Sequence, residues 1–139
     1  MKTSAFIAYL VVYLGFTFLT APVFAEKLSL ANHNSLIQKL ESALNPGHQD
    51  SMVLQTPLLH RLADLYAERA RLLSMQEEGR GEQINAQQIQ ADRHRSIATL
   101  SQILNSLDKS QRGPVLLQIC QLHELLGENQ KAHKIVLKI

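Results

Sequence analysis

The side chains best suited to chemistry lie close together near the end of the chain. Cys120, His123 and Glu124 stand at i, i+3 and i+4, so a helix presents all three on one face, and His133 follows on the next helix. Thiolate, imidazole and carboxylate groups so arranged could hold zinc or copper in a tetrahedral site. The Cys120–His123 pair could instead form an activated thiolate. No catalytic motif accompanies them: the sequence has no G-x-S-x-G, H-E-x-x-H, C-x-x-C or phosphate-binding loop. An exported metal-binding helical protein using Cys120, His123 and His133 is therefore the alternative reading, and no enzyme activity or cofactor is expected.

The elements that would position these groups have helical periods only. Ser35 is expected to cap a short helix with Leu36, Ile37, Leu40, Ala43 and Leu44 on its apolar side, ended by Asn45-Pro46-Gly47. Residues 47–55 read as a polar loop. Thr56-Pro57 is expected to open a long helix, as N-cap and first helical residue. Its apolar side carries Leu58, Leu59, Leu62, Leu65, Tyr66, Leu72 and Leu73, and a turn is expected at Gly79-Arg80-Gly81.

A second long helix is expected from Glu82 to Leu107, with Ile97, Leu100, Ile103, Leu104 and Leu107 forming its apolar face. Asp108–Arg112 reads as a polar link and Gly113-Pro114 as the start of the next helix, which Gly127 breaks. Asp92, Arg93, His94 and Arg95 read as a solvated stretch of helix, and Arg69 and Arg71 with Glu77 and Glu78 as surface ion pairs of well under about 1 kcal/mol each. No period-two run or hairpin signal appears, so the expected class is all-α.

The N-terminal end bears on location. Lys2 precedes an apolar stretch from Ala5 to Leu19, and Pro22 and the Val23-Phe24-Ala25 ending follow before polarity returns at Glu26-Lys27. This pattern predicts a secretory leader over residues 1–25, cleaved after Ala25, and hence a periplasmic or cell-envelope location. Membrane attachment is expected only if that segment is retained.

Within the rest of the chain, charge is nearly balanced. The whole chain has 14 Lys and Arg against 12 Asp and Glu, and cleavage would remove one of those cations, Lys2. All four Phe lie before residue 26, and Tyr66 is the lone aromatic after it. With neither a basic stripe nor an aromatic stacking platform, nucleic-acid binding is excluded. The single Cys permits no internal disulfide, so an exported domain must be held by its core.

The spacing of large and small residues carries a resemblance. Counting from Gly113, Leu116, Ile119, the small Cys120, Gly127 and Ala132 fall where a tetratricopeptide repeat (TPR) places its large, small, turn and close-approach residues; His123 and Val136 depart from the usual aromatics. Counting from Thr56, Leu59, Leu62, Ala63 and Tyr66 repeat the pattern, with Ser96 as the small residue of the facing helix. The chain thus resembles a TPR protein over residues 56–139, and more loosely the N-terminal part of exported bacterial TPR proteins. Residues 56–108 would form an extended hairpin and 113–139 an incomplete repeat, preceded by a short helix and loop at 26–55.

The resemblance implies antiparallel helical hairpins stacked as a short TPR-like α-solenoid that acts as a scaffold or adaptor for protein–protein interaction. It places His60 and Asp64, then Gln121 and Glu124, on the concave side, where they could bond an extended peptide. Cys120 and His123 would then be interior residues, which weighs against metal or thiol chemistry. Ile135, Leu137 and Ile139 would end the chain on an apolar face, so a protein partner or self-association through the C-terminal helix is expected, with Ile135 and Ile139 in the contact.

Overall fold

The computed structural model describes residues 21–44, 52–80 and 83–139. Their regular structure is entirely helical: α1 (Ala21–Ala43), α2 (Met52–Arg80), α3 (Ala86–Ile103), a 3-10 turn (Leu104–Ser106), α4 (Lys109–Leu125) and α5 (Asn129–Val136). The chain divides into two units, residues 1–32 and 33–139. Of the first unit, only the helical stretch from Ala21 is described, so the expected leader lies outside the described residues up to Thr20. No helix among the described residues is long and apolar enough to cross a membrane.

Several helix starts differ from expectation, each for a local reason. Ser35 is not a cap but lies inside α1, because no Pro or Gly stands between Val23 and Ser35 to interrupt the helix. Met52 to Gln55, expected in a loop, form the first turn of α2, so Pro57 sits inside the helix. This close to the N-terminus its missing N–H removes a single bond from a turn that is weakly held anyway. Thr56 meets the Ser106 hydroxyl at 3.2 Å. The same displacement recurs at α4, which starts at Lys109 and contains Pro114. Here Asp108 is the N-cap residue, extended at φ −64 and ψ 157. Its carbonyl accepts from the Gln111 and Arg112 amides at 2.9 and 3.2 Å.

The hairpin tip also shifts. α2 continues through Gly79 to Arg80, and α3 begins only at Ala86, where the Asn85 amide donates to the Glu77 carboxylate.

Helices α2 and α3 run antiparallel, as the pairs Thr56–Ser106, Ala63–Ser96 and Arg69–Asp92 show. Close approach is permitted by small residues. Ala63 and Ser96 are both fully buried, and Ser96 Oγ donates to the Ala63 carbonyl at 2.8 Å. Helices α4 and α5 repeat this on a smaller scale: Cys120 and Ala132 are buried, and the Cys120 thiol donates to the Ala132 carbonyl at 3.5 Å. One apolar cluster joins the two hairpins. It contains Leu59 and Ala63 of α2, Leu100 and Ile103 of α3, and Val115, Ile119 and Leu122 of α4. A second cluster seats Ile37 of α1 against Leu62, Leu65 and Tyr66 of α2.

The turn between α4 and α5 needs Gly127, whose φ is +73. Its amide donates to the Glu124 carbonyl at 2.9 Å and the next amide, of Glu128, to the His123 carbonyl at 2.9 Å, closing the helix end. A Cβ here would meet no atom within 4 Å. Gly127→Ala should therefore lower stability only by the left-handed backbone strain, about 1–2 kcal/mol, as read from urea unfolding. A larger loss would mean that the turn is packed more tightly than this.

Asp92 and Arg69, expected on a solvated surface, are instead a buried pair. Asp92 is 0% exposed and the Arg69 side chain 12%. Arg69 Nε and Nη2 donate to the two Asp92 oxygens at 2.7 and 2.6 Å, and Gln88 Nε2 adds a third bond at 2.9 Å. Arg69 also reaches Asn34 of α1 at 2.8 Å. The bond to Asp92 holds the guanidinium pKa above its ordinary value. Beside this pair, the Tyr66 ring lies under both Arg69 and Arg95, at 5.8 and 5.7 Å from its centroid. Its hydroxyl donates to Glu41.

Burial, and then the bond to Glu41, push the Tyr66 phenol up to about 12. An acid whose pKa is higher folded than unfolded loses stability as it ionises. The contribution should thus be constant below about pH 10 and fall as pH rises toward 12. Phenolate absorbance of the chain minus that of Tyr66→Phe should rise with a midpoint well above 10. A difference midpoint at 10 would mean a solvated ring.

Candidate functional site

On the 33–139 unit, a cleft of about 790 Å³ lies where the Thr56–Asp64 stretch of α2 and the start of α4 meet the 3-10 turn. Its apolar lining is Pro57 of α2, Ile103 and Leu107 around the turn, and Pro114 and Val115 of α4, with Ile103 and Val115 buried and the two prolines exposed. Its rim is polar, with Thr56, His60, Arg61 and Asp64 on one side and Ser106, Ser110 and Gln111 on the other. The two internal prolines are thus opposed across one cleft. Proline cannot supply the usual helical bond, so the Ser110 carbonyl on the rim lacks its partner four residues on.

His60 and Asp64 are both here. His60 Nδ1 lies 3.5 Å from Asp64 Oδ2, and Asp64 Oδ1 accepts from Gln118 Nε2 of α4 at 2.9 Å. Asp64 therefore fixes α2 to α4 at the cleft edge, with the half-exposed His60 beside it in the cleft lining. Gln121 and Glu124 are exposed on α4 and do not line the cleft. Ile135 is half-buried against the cluster that joins the hairpins, whereas Val136, Leu137 and Ile139 are exposed. Ile139 lines a separate recess with Leu104, Leu116 and three cations.

Thr56, Arg61, Ser106, Ser110 and Gln111 line the cleft without being evident from sequence, where Thr56 reads as a cap and 108–112 as a link. The spacing of Asp108 and Gln111, a capping-box pattern, was the available signal.

Cys120, His123 and His133 are not brought together. The Cys120 thiol is buried and directed at a carbonyl. His123 Nδ1 lies 2.6 Å from Glu128 Oε2, and His133 is exposed. Among the described residues, no three His, Cys, Asp or Glu side chains are grouped to hold a metal ion. Glu128 also accepts from Lys131 Nζ at 2.7 Å. Lys131 first, and His123 second, hold its carboxyl below the usual carboxylate range.

No protein-family model, curated protein or solved structure matches this chain.

Proposed function

We propose that this protein is an exported, TPR-like scaffold that binds a segment of a partner protein in the Pro57–Pro114 cleft and has no catalytic role of its own. The observation that carries the reading is the cleft itself, an apolar floor of aliphatic and proline side chains with hydroxyl, amide and imidazole groups along both rims. Such a lining suits a peptide: apolar side chains fill the floor while the rim bonds its backbone. Charge at the rim is mixed, with Arg61 and Asp64 on the same wall, so no single sign of ligand is selected.

The repeat assignment rests on residue spacing, since helical hairpins alone are compatible with many folds. Export rests on the 1–25 pattern. Against catalysis, the thiol and imidazole that could do chemistry are both engaged by neighbours.

Ser110 stands exposed on the rim, and Ser110→Trp should close the cleft without touching the core. Peptides selected from a displayed random library on the purified chain should lose affinity about tenfold or more with Ser110→Trp and keep it with Gln121→Ala. Equal binding to both variants would remove the cleft as the site.

A further inference from the structure

A second surface carries a different chemistry. Where the end of α3 and its 3-10 turn meet α4 and the end of the chain, a recess of about 360 Å³ has Leu104, Leu116 and Ile139 among its lining residues, with Lys109, Arg112 and Lys138 around them. No acidic side chain lines it, and Asp108, the nearest acid in sequence, is not part of the wall. Arg112 uses its Nε on the Leu107 carbonyl at 2.9 Å, which fixes the guanidinium at the rim with its terminal nitrogens available.

We propose that this recess docks an acidic segment of a partner protein, one that places a large apolar side chain on the Leu104–Leu116–Ile139 floor and carboxylates on Lys109, Arg112 and Lys138. Charge complementarity selects the occupant. The apolar floor is too small for a helix face but takes one or two side chains, and a ring of cations favours carboxylates on both sides of them. A second copy docking through the same recess would set each cationic rim against its own like, which opposes a symmetric pair. A membrane surface is flat, whereas this site is a depression lined by both apolar and cationic residues.

The inference goes beyond the cleft reading and stands apart from it: the recess is lined by none of the cleft residues, so either site can fail alone.

The test is fluorescence anisotropy of the full chain with a labelled peptide in which Phe is flanked on both sides by glutamates. Binding should be weakened about tenfold or more by Arg112→Glu combined with Lys138→Glu, both exposed positions. It should also weaken as salt rises. Exchanging the peptide's glutamates for glutamine, or its Phe for Ala, should each reduce binding, and Ser110→Trp should leave it unchanged.

Circular dichroism of the charge-reversed variant should match that of the parent chain. The proposal is overturned if the peptide does not bind, or if the glutamine peptide binds equally well. It is also overturned if Ser110→Trp abolishes binding, which would place the peptide in the cleft and leave the scaffold reading standing. Two further results would count against it: capture of the chain by phosphatidylglycerol vesicles that the peptide cannot compete away, or a light-scattering dimer that the charge reversals dissolve.

Discussion

Asp92→Ala is expected to cost about 3–5 kcal/mol of folding free energy, the largest loss from any single charged residue here. The reason is asymmetric. Asp92 is fully buried, and its two oxygens accept from Arg69 Nε, Arg69 Nη2 and Gln88 Nε2. Removing the carboxylate leaves the Arg69 guanidinium, only 12% exposed, with its desolvation cost and without its partner. For a unit of this size the melting temperature should fall on the order of 15–25 °C.

The pair itself need not add stability. An Arg69→Met, Asp92→Leu double variant should unfold at nearly the urea midpoint of the parent chain, because well-packed apolar groups avoid the desolvation of both ions. A loss below 1 kcal/mol in the single variant would show that water reaches the pair.

Leu100→Ala should cost about 2–5 kcal/mol, by a different mechanism. Leu100 is 0% exposed and belongs to the cluster that joins α2, α3 and α4. Its neighbours Leu59, Ile103, Val115 and Ile119 are held by three separate helices. They cannot all move to fill the space, so both the lost transfer free energy and most of the cavity term should appear. The slope of the urea transition should stay the same, marking a change of stability and not of the surface exposed on unfolding. Leu117→Ala, at a half-exposed position on α4, should change stability by about 0.5 kcal/mol or less. Equal effects at Leu100 and Leu117 would contradict the core described above.

The residues that hold the hairpins together were legible in the sequence because they obey a steric rule. Helices approach closely only where side chains are small, and Ala63, Ser96, Cys120 and Ala132 stood at helical spacing from large apolar neighbours. The all-α class follows from the same periods.

Helix starts were less legible. A Thr-Pro or Gly-Pro pair favours a helix start there but does not forbid one a turn earlier, and both α2 and α4 begin five residues before their proline. That shift moved the first turn of each helix out of supposed loops, and in α4 it brought Ser110 and Gln111 into the wall of the cleft. The repeat resemblance put His60 and Asp64 on a concave side, and both line the cleft, whereas Ser110 and Gln111 come from a segment that reads as a polar link. The Arg69–Asp92 pair was hidden for another reason. Charged residues scattered on two helices give no periodic signal, and only the packing of α2 on α3 shows that they meet in the interior.

The opposed prolines have a consequence for how the cleft can work. Each removes a backbone bond from the turn that forms a cleft wall, while the Leu100 cluster lies deeper between the same helices. Opening free energy should therefore rise steeply from the rim inward. In hydrogen-exchange terms, the amides of the two proline-bearing turns belong to the least protected class and those around Leu100 to the most. An occupant can then spread the walls at small cost, so the site can accept side chains of different width while the helices behind it keep their register.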